Sequence, residues 1–152
     1  MSAILVIAHA PLASSLAAVA AHAYPECGAQ LRALDIGPGV GGEQAAALVQ
    51  QAVAACGDGE VLLLVDVYGA TPCNAALKAA DGVRVRVVAG VNVPMLWRTL
   101  CYGDRTLDDL VERAIDGGAK GVMHVPVERP RLNQSTSLAS APHDQDAHHH
   151  QQ

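Results

Sequence analysis

Short apolar runs alternate with helix-like segments along this chain, and that alternation constrains its fold more than any other feature. Residues Ala3 to Ala8 and Val61 to Val65 are hydrophobic at every position, which is typical of strands covered on both faces. Three further runs have strand character: Leu31 to Ile36, Val83 to Ala89, and a last, sheet-edge run from Gly121 to Val125. The pattern predicts an α/β fold with a doubly wound, mostly parallel sheet and helices on both faces.

The segments between the strands carry helix signals. Thr71 is predicted to be the N-cap of a helix, and the pair Gly117-Gly118 is predicted to end the last one. Five helices are expected: Pro11 to about Tyr24, Glu43 to Ala55, one that begins near Thr71, Val93 to Cys101, and Thr106 to Asp116.

Length and composition predict one domain and a polar tail. The chain has 152 residues, of which 51% are hydrophobic, enough for a single buried core. All predicted strands and helices fall within residues 1–125, whereas residues 126–152 interleave proline with Ser, Gln, Asp and His. Because such a segment has few apolar residues to bury, we expect a domain over 1–125 and a disordered tail over 126–152.

Charge and cysteine usage exclude several function classes. The formal net charge of −5 argues against nucleic-acid binding, which requires a basic face. No uninterrupted apolar stretch is long enough to cross a membrane, so direct membrane insertion is not expected. The four cysteines form no C-x-x-C pair, which argues against a zinc knuckle or a dithiol redox motif. We expect reduced thiols in a cytoplasmic protein, with no cofactor and no metal.

Polar residues follow two of the apolar strands where each strand ends. His9 comes directly after Ala3 to Ala8, and Asp66 comes directly after Val61 to Val65. If both runs are parallel strands of one sheet, the two side chains emerge at the same edge, where open α/β sheets bind ligands. A carboxylate that accepts a hydrogen bond from one imidazole nitrogen leaves the other nitrogen free as a nucleophile. This pair therefore suggests a phosphohistidine.

Phosphoryl transfer also needs hydrogen-bond donors for the phosphoryl oxygens. Two predicted helix N-termini open toward this edge, one after Ala10 and one at Thr71, and both supply N–H groups and partial positive charge. The Thr71 hydroxyl is a candidate phosphoryl ligand or a plain helix cap, and the two roles are compatible. Gly69 either allows close approach of a ligand or serves a turn with positive φ.

Three blocks of sequence resemble a known family. They are Val6-Ile-Ala-His9, Leu64-Val-Asp66-Val-Tyr-Gly-Ala-Thr71-Pro-Cys-Asn74, and Ala89-Gly-Val-Asn92-Val-Pro-Met-Leu96. In this order, and over about residues 1 to 125, the chain resembles the mannose-family enzyme IIA of the bacterial phosphoenolpyruvate-dependent sugar phosphotransferase system.

The resemblance implies a function for each site residue. It implies that His9 accepts a phosphoryl group on Nε2 from an HPr-like phosphohistidine donor and passes it to a IIB-type protein or uses it as a regulatory signal. Asp66 matches the carboxylate bonded to the other ring nitrogen, and Thr71 matches a Ser or Thr near the phosphoryl group. The family also implies a homodimer with an antiparallel edge strand, here Gly121 to Val125.

This chain departs from the family pattern after the histidine. The family often has glycine there, whereas this chain has Ala10-Pro11, and proline supplies no N–H.

Four other classes of protein share features with this sequence. A response-regulator receiver also places an aspartate after its third strand, but it needs further acidic Mg²⁺ ligands where this chain has Ala8-His9-Ala10. A phosphotransfer subunit that feeds dihydroxyacetone kinase has the same kind of domain. A non-catalytic interaction protein, read by its phosphorylation state, remains a third possibility. A nucleotide-binding module is disfavoured because Gly37 to Gly42 has neither a Walker lysine nor the dinucleotide glycine spacing.

Overall fold

The structure, a computed structural model, describes residues 1–129, in which four strands form one parallel sheet. The sheet order is β2-β1-β3-β4, and every neighbouring pair is parallel. The elements are β1 (Ala3–His9), α1 (Leu12–Ala23), α2 (Pro25–Gly28), β2 (Arg32–Ile36), α3 (Gly42–Ala54), β3 (Val61–Val65), α4 (Thr71–Ala79), β4 (Val85–Ala89), α5 (Val93–Leu100) and α6 (Leu107–Lys120). The doubly wound α/β prediction is confirmed, and β3 has the predicted bounds.

The strand order creates a switch point between β1 and β3. Strand β2 lies on one side of β1, whereas β3 and β4 lie on the other, so the winding direction reverses between the two central strands. Ile7 pairs with Val65 near the carboxyl ends of these strands. Ligands of open α/β sheets bind outside the carboxyl ends of strands at such a point. The topology therefore places His9, the last residue of β1, and Asp66, the residue after β3, at the position that this fold favours for a site.

The sheet separates two hydrophobic layers. Alternate residues of a strand point to opposite faces, so each buried strand contributes to both layers. Helices α1, α5 and α6 cover one face, and α3 and α4 cover the other. Within β1, for example, Ile4, Val6 and Ala8 face the first layer, and Leu5 and Ile7 face the second. All five residues of β3 are buried, as its continuous apolar sequence predicts.

Helix α6 is longer than the sequence pattern predicts. It continues through Gly117 and Gly118 to Lys120 instead of ending at Asp116. The two glycines are buried because they allow α5 and α6 to pack closely: a Cβ at Gly117 would meet the Arg98 side chain, and one at Gly118 would meet Met95. Here glycine serves helix packing and does not terminate the helix.

The predicted edge strand over Gly121 to Val125 is wrong. Gly121 is the C-cap of α6, and the residues from there to 129 belong to no strand and are exposed. A strand needs a neighbouring strand to pair with its N–H and C=O groups, and within residues 1–129 this segment pairs with none. Its apolar composition and the family resemblance both suggested a strand, but strand composition is insufficient without a surface to pack against. The sheet described here is wholly parallel.

The predicted tail lies largely outside the described residues. Residues 130–152 are not described, and residues 126–129 contain no helix or strand. The sequence pattern also missed one short helix, α2, which begins at Pro25. Among residues 1–129, no helix combines the length and the apolar character needed to cross a bilayer.

Candidate functional site

The His9 and Asp66 side chains are in direct contact at the switch point. Imidazole Nδ1 lies 2.6 Å from Asp66 Oδ2, and the same oxygen accepts a 3.0 Å hydrogen bond from the His9 backbone N–H. The second carboxylate oxygen, Oδ1, accepts a 2.8 Å hydrogen bond from the Val67 N–H. The carboxylate is thus held by three donors, and its orientation toward the imidazole is fixed.

Ionisation of Asp66 decides which ring nitrogen carries a proton. Partial burial works against the charged carboxylate, but the hydrogen bonds from the His9 backbone N–H, the His9 ring and the Val67 N–H prevail, so the pKa of Asp66 is lowered. An ionised carboxylate only accepts hydrogen bonds, so Nδ1 must be the donor of the 2.6 Å contact. In the neutral ring, Nε2 then carries the lone pair.

The imidazole is exposed, whereas its carboxylate partner is not. The His9 side chain is 55% exposed and the Asp66 side chain 11%. Because Nδ1 is engaged with Asp66, the free nitrogen Nε2 is the one available to a reactant from solution. A nucleophilic nitrogen oriented by a shielded carboxylate is the arrangement used in catalytic triads.

The turn from β3 to α4 has a backbone that only glycine adopts without strain. Gly69 has φ +86°, and its carbonyl accepts a 3.3 Å hydrogen bond from the Asn74 side-chain amide. Ala70, in extended conformation and without a side-chain cap, is the N-cap of α4, and Thr71 is the first helical residue. The prediction that Thr71 is the N-cap is therefore wrong by one position.

The turn from β1 to α1 is arranged differently. The Ser14 N–H, in the first turn of α1, donates a 3.1 Å hydrogen bond to Asp35 Oδ1 at the end of β2. The Ala10 N–H donates to the Ile36 carbonyl at 2.9 Å, and Pro11 has no N–H. One of the two helix termini expected to face a phosphoryl group is thus already bonded to a carboxylate of the protein.

The structure brings together some of the predicted site residues and adds others. Hydrogen bonds link His9 to Asp66, whereas Gly69 and Thr71 belong to the turn and helix that follow Asp66. Sequence reasoning missed Asp35, which precedes the last residue of β2 much as Asp66 follows β3. A second aspartate at a neighbouring strand end was the signal available in the sequence.

Two large apolar residues beside Asp66 were also given no function in the sequence analysis. Val67 is 51% exposed and Tyr68 is 80% exposed. These two exposed apolar side chains directly follow Asp66 in the chain. Within residues 1–129, no group of three or more His, Cys, Asp or Glu side chains is placed to hold a metal ion.

Comparison with known proteins identifies relatives of this chain. Residues 3–115 match the EIIA-man family, described as "PTS system fructose IIA component". The mannose-specific EIIAB component of the phosphotransferase system of Escherichia coli (strain K12) is 43% identical over 75 residues, which cover 45% of this chain and 23% of that protein. The protein of the same description from Shigella flexneri matches to the same extent. The match therefore spans less than a quarter of these relatives.

Solved structures share the fold. The mannose/sorbose-specific IIA subunit from Enterococcus faecalis superimposes with a TM-score of 0.78 at 22% identity, over 85% of this chain and 98% of that one. The IIA protein associated with the fucose utilization operon of Streptococcus pneumoniae gives a TM-score of 0.70 at 24% identity, over 82% and 96% of the two chains. Since the family match extends over nearly all of the sheet and its helices, the chain belongs to the mannose-type enzyme IIA family of the phosphotransferase system.

Proposed function

We propose that this chain is a phosphohistidine carrier that accepts a phosphoryl group on His9 from an HPr-like phosphohistidine and passes it to a IIB-type protein. The observation that carries the proposal is the 2.6 Å contact between His9 Nδ1 and Asp66 Oδ2, which leaves Nε2 as an exposed nucleophile. Family membership supports the same chemistry. The catalytic residues proposed are His9 and Asp66.

The geometry suggests how the transfer proceeds. The lone pair of Nε2 forms a bond to phosphorus while the bond from phosphorus to the donor's histidine nitrogen breaks, so no oxidant, metal or water is consumed. The ring keeps its Nδ1 proton and gains positive charge as the new bond forms. Because the Asp66 carboxylate accepts that proton's hydrogen bond, it stabilises the developing charge. The second transfer, to the IIB-type protein, is the same step in reverse.

The phosphoryl oxygens are proposed to bind at the start of α4. This helix has no side-chain cap, so the N–H groups of Thr71 and Cys73 and its partial positive charge remain available to an anion, although Pro72 supplies no N–H. Gly69 and Thr71 are the proposed phosphoryl-binding residues, the first through its backbone and the second through its hydroxyl. The start of α1 is the poorer choice because Asp35 already accepts from Ser14.

Exposed apolar side chains next to His9 suit a protein reaction partner. Leu12, Val67 and Tyr68 are 40%, 51% and 80% exposed, and all three lie within a few residues of His9 or Asp66 in the chain. Docked protein surfaces bury such residues around the atoms that react. We therefore expect both the donor and the acceptor to be proteins that contact this surface, in the cytoplasm.

A homodimer is part of the same proposal. Val122, Met123, Val125 and Val127 follow α6 and are 68% to 84% exposed, which leaves apolar surface for a second copy to cover. The full chain is expected to sediment as a dimer, and the double variant with Val122→Asp and Val125→Asp as a monomer. A wild-type chain that stays monomeric at micromolar concentration would contradict this part of the proposal.

The main test is phosphorylation in a defined mixture. The purified chain is incubated with enzyme I, HPr and labelled phosphoenolpyruvate, together with the variants His9→Gln and His22→Gln. His22 is an exposed histidine in the last turn of α1 and serves as the matched control. We expect wild type and His22→Gln to be labelled equally and His9→Gln to remain unlabelled. Label on the His9→Gln variant would overturn the assignment.

A chase distinguishes a carrier from a protein that is only read by its phosphorylation state. The labelled chain, freed of donor, is mixed with each IIB protein of the source organism and, separately, with dihydroxyacetone kinase. Rapid movement of label to a IIB protein is the expected result. Label that moves only to the kinase would identify the alternative acceptor, and label that stays in place would contradict the carrier function.

A further inference from the structure

Two cysteines that are far apart in the sequence lie together at the edge of the sheet opposite His9. Cys27 is in the short helix α2, and Cys101 is the C-cap of α5. Both line one surface cavity of about 250 Å³, together with Met1, Leu100 and others. Neither is in a disulfide in this structure. The other two free thiols, Cys56 and Cys73, do not line this cavity.

The cavity lies at the amino end of β1. The Ser2 N–H, just before this strand, donates a 3.1 Å hydrogen bond to the carbonyl of Gly103, and Gly103 also lines the cavity. His9 ends the same strand. A strand of seven residues is roughly 20 Å long, so the two cysteines are well removed from the imidazole.

The two thiols differ in exposure, so the more exposed one can react first with an oxidant and the other can react second. Cys101 is exposed, whereas Cys27 is half-buried and packs against the hydrophobic layer of α1, α5 and α6. Burial raises the pKa of the Cys101 thiol, and the neighbouring Cys27 thiol raises it further. Both thiols line the same small cavity, which places the two side chains on one surface of the protein. The raised pKa keeps Cys101 protonated, so its reaction with an oxidant is expected to be slow.

We propose that Cys27 and Cys101 form a reversible disulfide, a modification site that joins α2 to the end of α5 and is separate from the His9 site. The oxidant is a small disulfide such as oxidised glutathione. The Cys101 thiolate attacks one sulfur of the oxidant and releases one glutathione thiolate. The Cys27 thiolate then attacks the Cys101 sulfur and releases the second glutathione. Each cysteine loses one proton and one electron, and the oxidant leaves as two molecules of reduced glutathione.

The link would constrain the unfolded chain strongly because it closes a long loop. It would tie α5, which packs on α6, to the connection between α1 and β2. We therefore expect the linked chain to unfold at a higher temperature than the reduced chain, by roughly 5 to 15 °C.

The test is oxidation of the full chain with oxidised glutathione, followed by peptide mapping without reductant. We expect one intramolecular link, between the peptides that contain Cys27 and Cys101, and its loss on addition of dithiothreitol. The variants Cys27→Ser and Cys101→Ser should each give no link and retain a glutathione adduct on the remaining partner. Cys56→Ser is the control, because Cys56 donates instead to the Ala52 carbonyl and should not affect the link.

Three outcomes would overturn the proposal. A stable glutathione adduct on Cys101 in the wild-type chain would show that Cys27 cannot reach it. A link that includes Cys56 or Cys73 would assign the chemistry to other residues. A linked chain that unfolds at a lower temperature than the reduced chain would show that the native positions do not accommodate the bond.

Discussion

The turn from β1 to α1 and the turn from β3 to α4 have the same local pattern but different hydrogen bonds. Each follows a central strand, and each leads to a helix with proline in its first turn or at its N-cap, Pro11 for α1 and Pro72 for α4. In the first, Asp35 accepts from the first turn of α1. In the second, α4 begins after Ala70 with no side-chain cap. One turn therefore follows His9, the proposed nucleophile, and the other supplies the Asp66 carboxylate and a helix terminus without a side-chain cap.

Asp66, which follows β3, and Asp35, near the end of β2, show why the ends of neighbouring strands are not equivalent sites. Asp66 uses both oxygens and accepts from three donors, among them the His9 ring. Asp35 accepts from a single backbone N–H of α1. A carboxylate that fixes a histidine tautomer must itself be held by other donors, and for Asp66 these are the backbone N–H groups of His9 and Val67.

The largest expected effect comes from Asp66→Asn. An amide has one oxygen, so its NH₂ group must face either the two donors of His9 or the N–H of Val67, and one set of hydrogen bonds is lost. The amide also cannot neutralise a cationic imidazole. We expect the rate of phosphoryl transfer from HPr to fall roughly 10²- to 10⁴-fold, as for other orienting carboxylates. Rapid-quench measurement of labelled chain gives the rate.

Asp35→Asn is the matched control for that variant. Its amide oxygen can still accept the hydrogen bond from Ser14, so the rate should change by less than about threefold, the size expected for a surface hydrogen bond. If Asp35→Asn and Asp66→Asn lowered the transfer rate equally, the two aspartates would have the same importance for transfer. Circular dichroism checks that both variants are folded.

Gly69→Ala tests whether the turn after β3 depends on its backbone conformation. At φ +86° an added Cβ meets no atom within 4 Å, so the cost is that of the left-handed backbone alone. We expect a loss of about 1–2 kcal/mol in the free energy of unfolding in urea. The control is Gly59→Ala, which has equal space and no positive φ and should be neutral or slightly stabilising. If Gly69→Ala left the free energy of unfolding unchanged, the turn would not depend on glycine at this position.

Thr71→Ala measures the contribution of a side-chain hydroxyl at the start of α4. If the hydroxyl donates to a phosphoryl oxygen, transfer should slow roughly 2- to 10-fold, the equivalent of one hydrogen bond. Thr71→Ser keeps the hydroxyl and should recover most of the rate. Since Thr71 is not the N-cap, the stability of the alanine variant should be close to wild type. A large fall in stability with no effect on transfer would assign Thr71 a structural role.

The smallest expected effect is a pH dependence of stability. The pKa of Asp66 is lowered in the folded chain, so ionised Asp66 stabilises the fold at pH values above its unfolded pKa of about 3.9. That contribution is lost as the pH falls through the lowered folded pKa. Urea unfolding of wild type and Asp66→Asn at several pH values should therefore show a difference in stability that shrinks below about pH 4. A difference that stays constant down to pH 2.5 would contradict the lowered pKa.

Much of the fold could be predicted from the periodicity of the sequence. The bounds of β3 were correct, and the starts of α3 and α5 lay within one residue of prediction. These elements were predictable because each is continuous and buried or periodic, so its local pattern matches its surroundings. Adjacency of His9 and Asp66 followed from the same pattern, since both come at the ends of strands that a doubly wound fold places side by side.

The errors have a common physical cause. Gly117 and Gly118 were interpreted by their local propensity, but the close approach of α5 decided their structure. Gly121 to Val125 has strand composition, but it pairs with no strand within residues 1–129. Asp35 and the pair of Cys27 and Cys101 were not recognised because their partners are distant in the sequence.

The sequence by itself determined the fold class, the chain order of the four described strands and of five of the six described helices, and the position of His9 and Asp66 at two strand ends. It could do so because hydrophobic period and residue type are local properties. Only the tertiary structure decided which oxygen of Asp66 holds the ring, which helix terminus remains free, and which thiols are neighbours. These depend on distances between segments that are remote in the chain, and such distances are fixed when the two hydrophobic layers pack against the sheet.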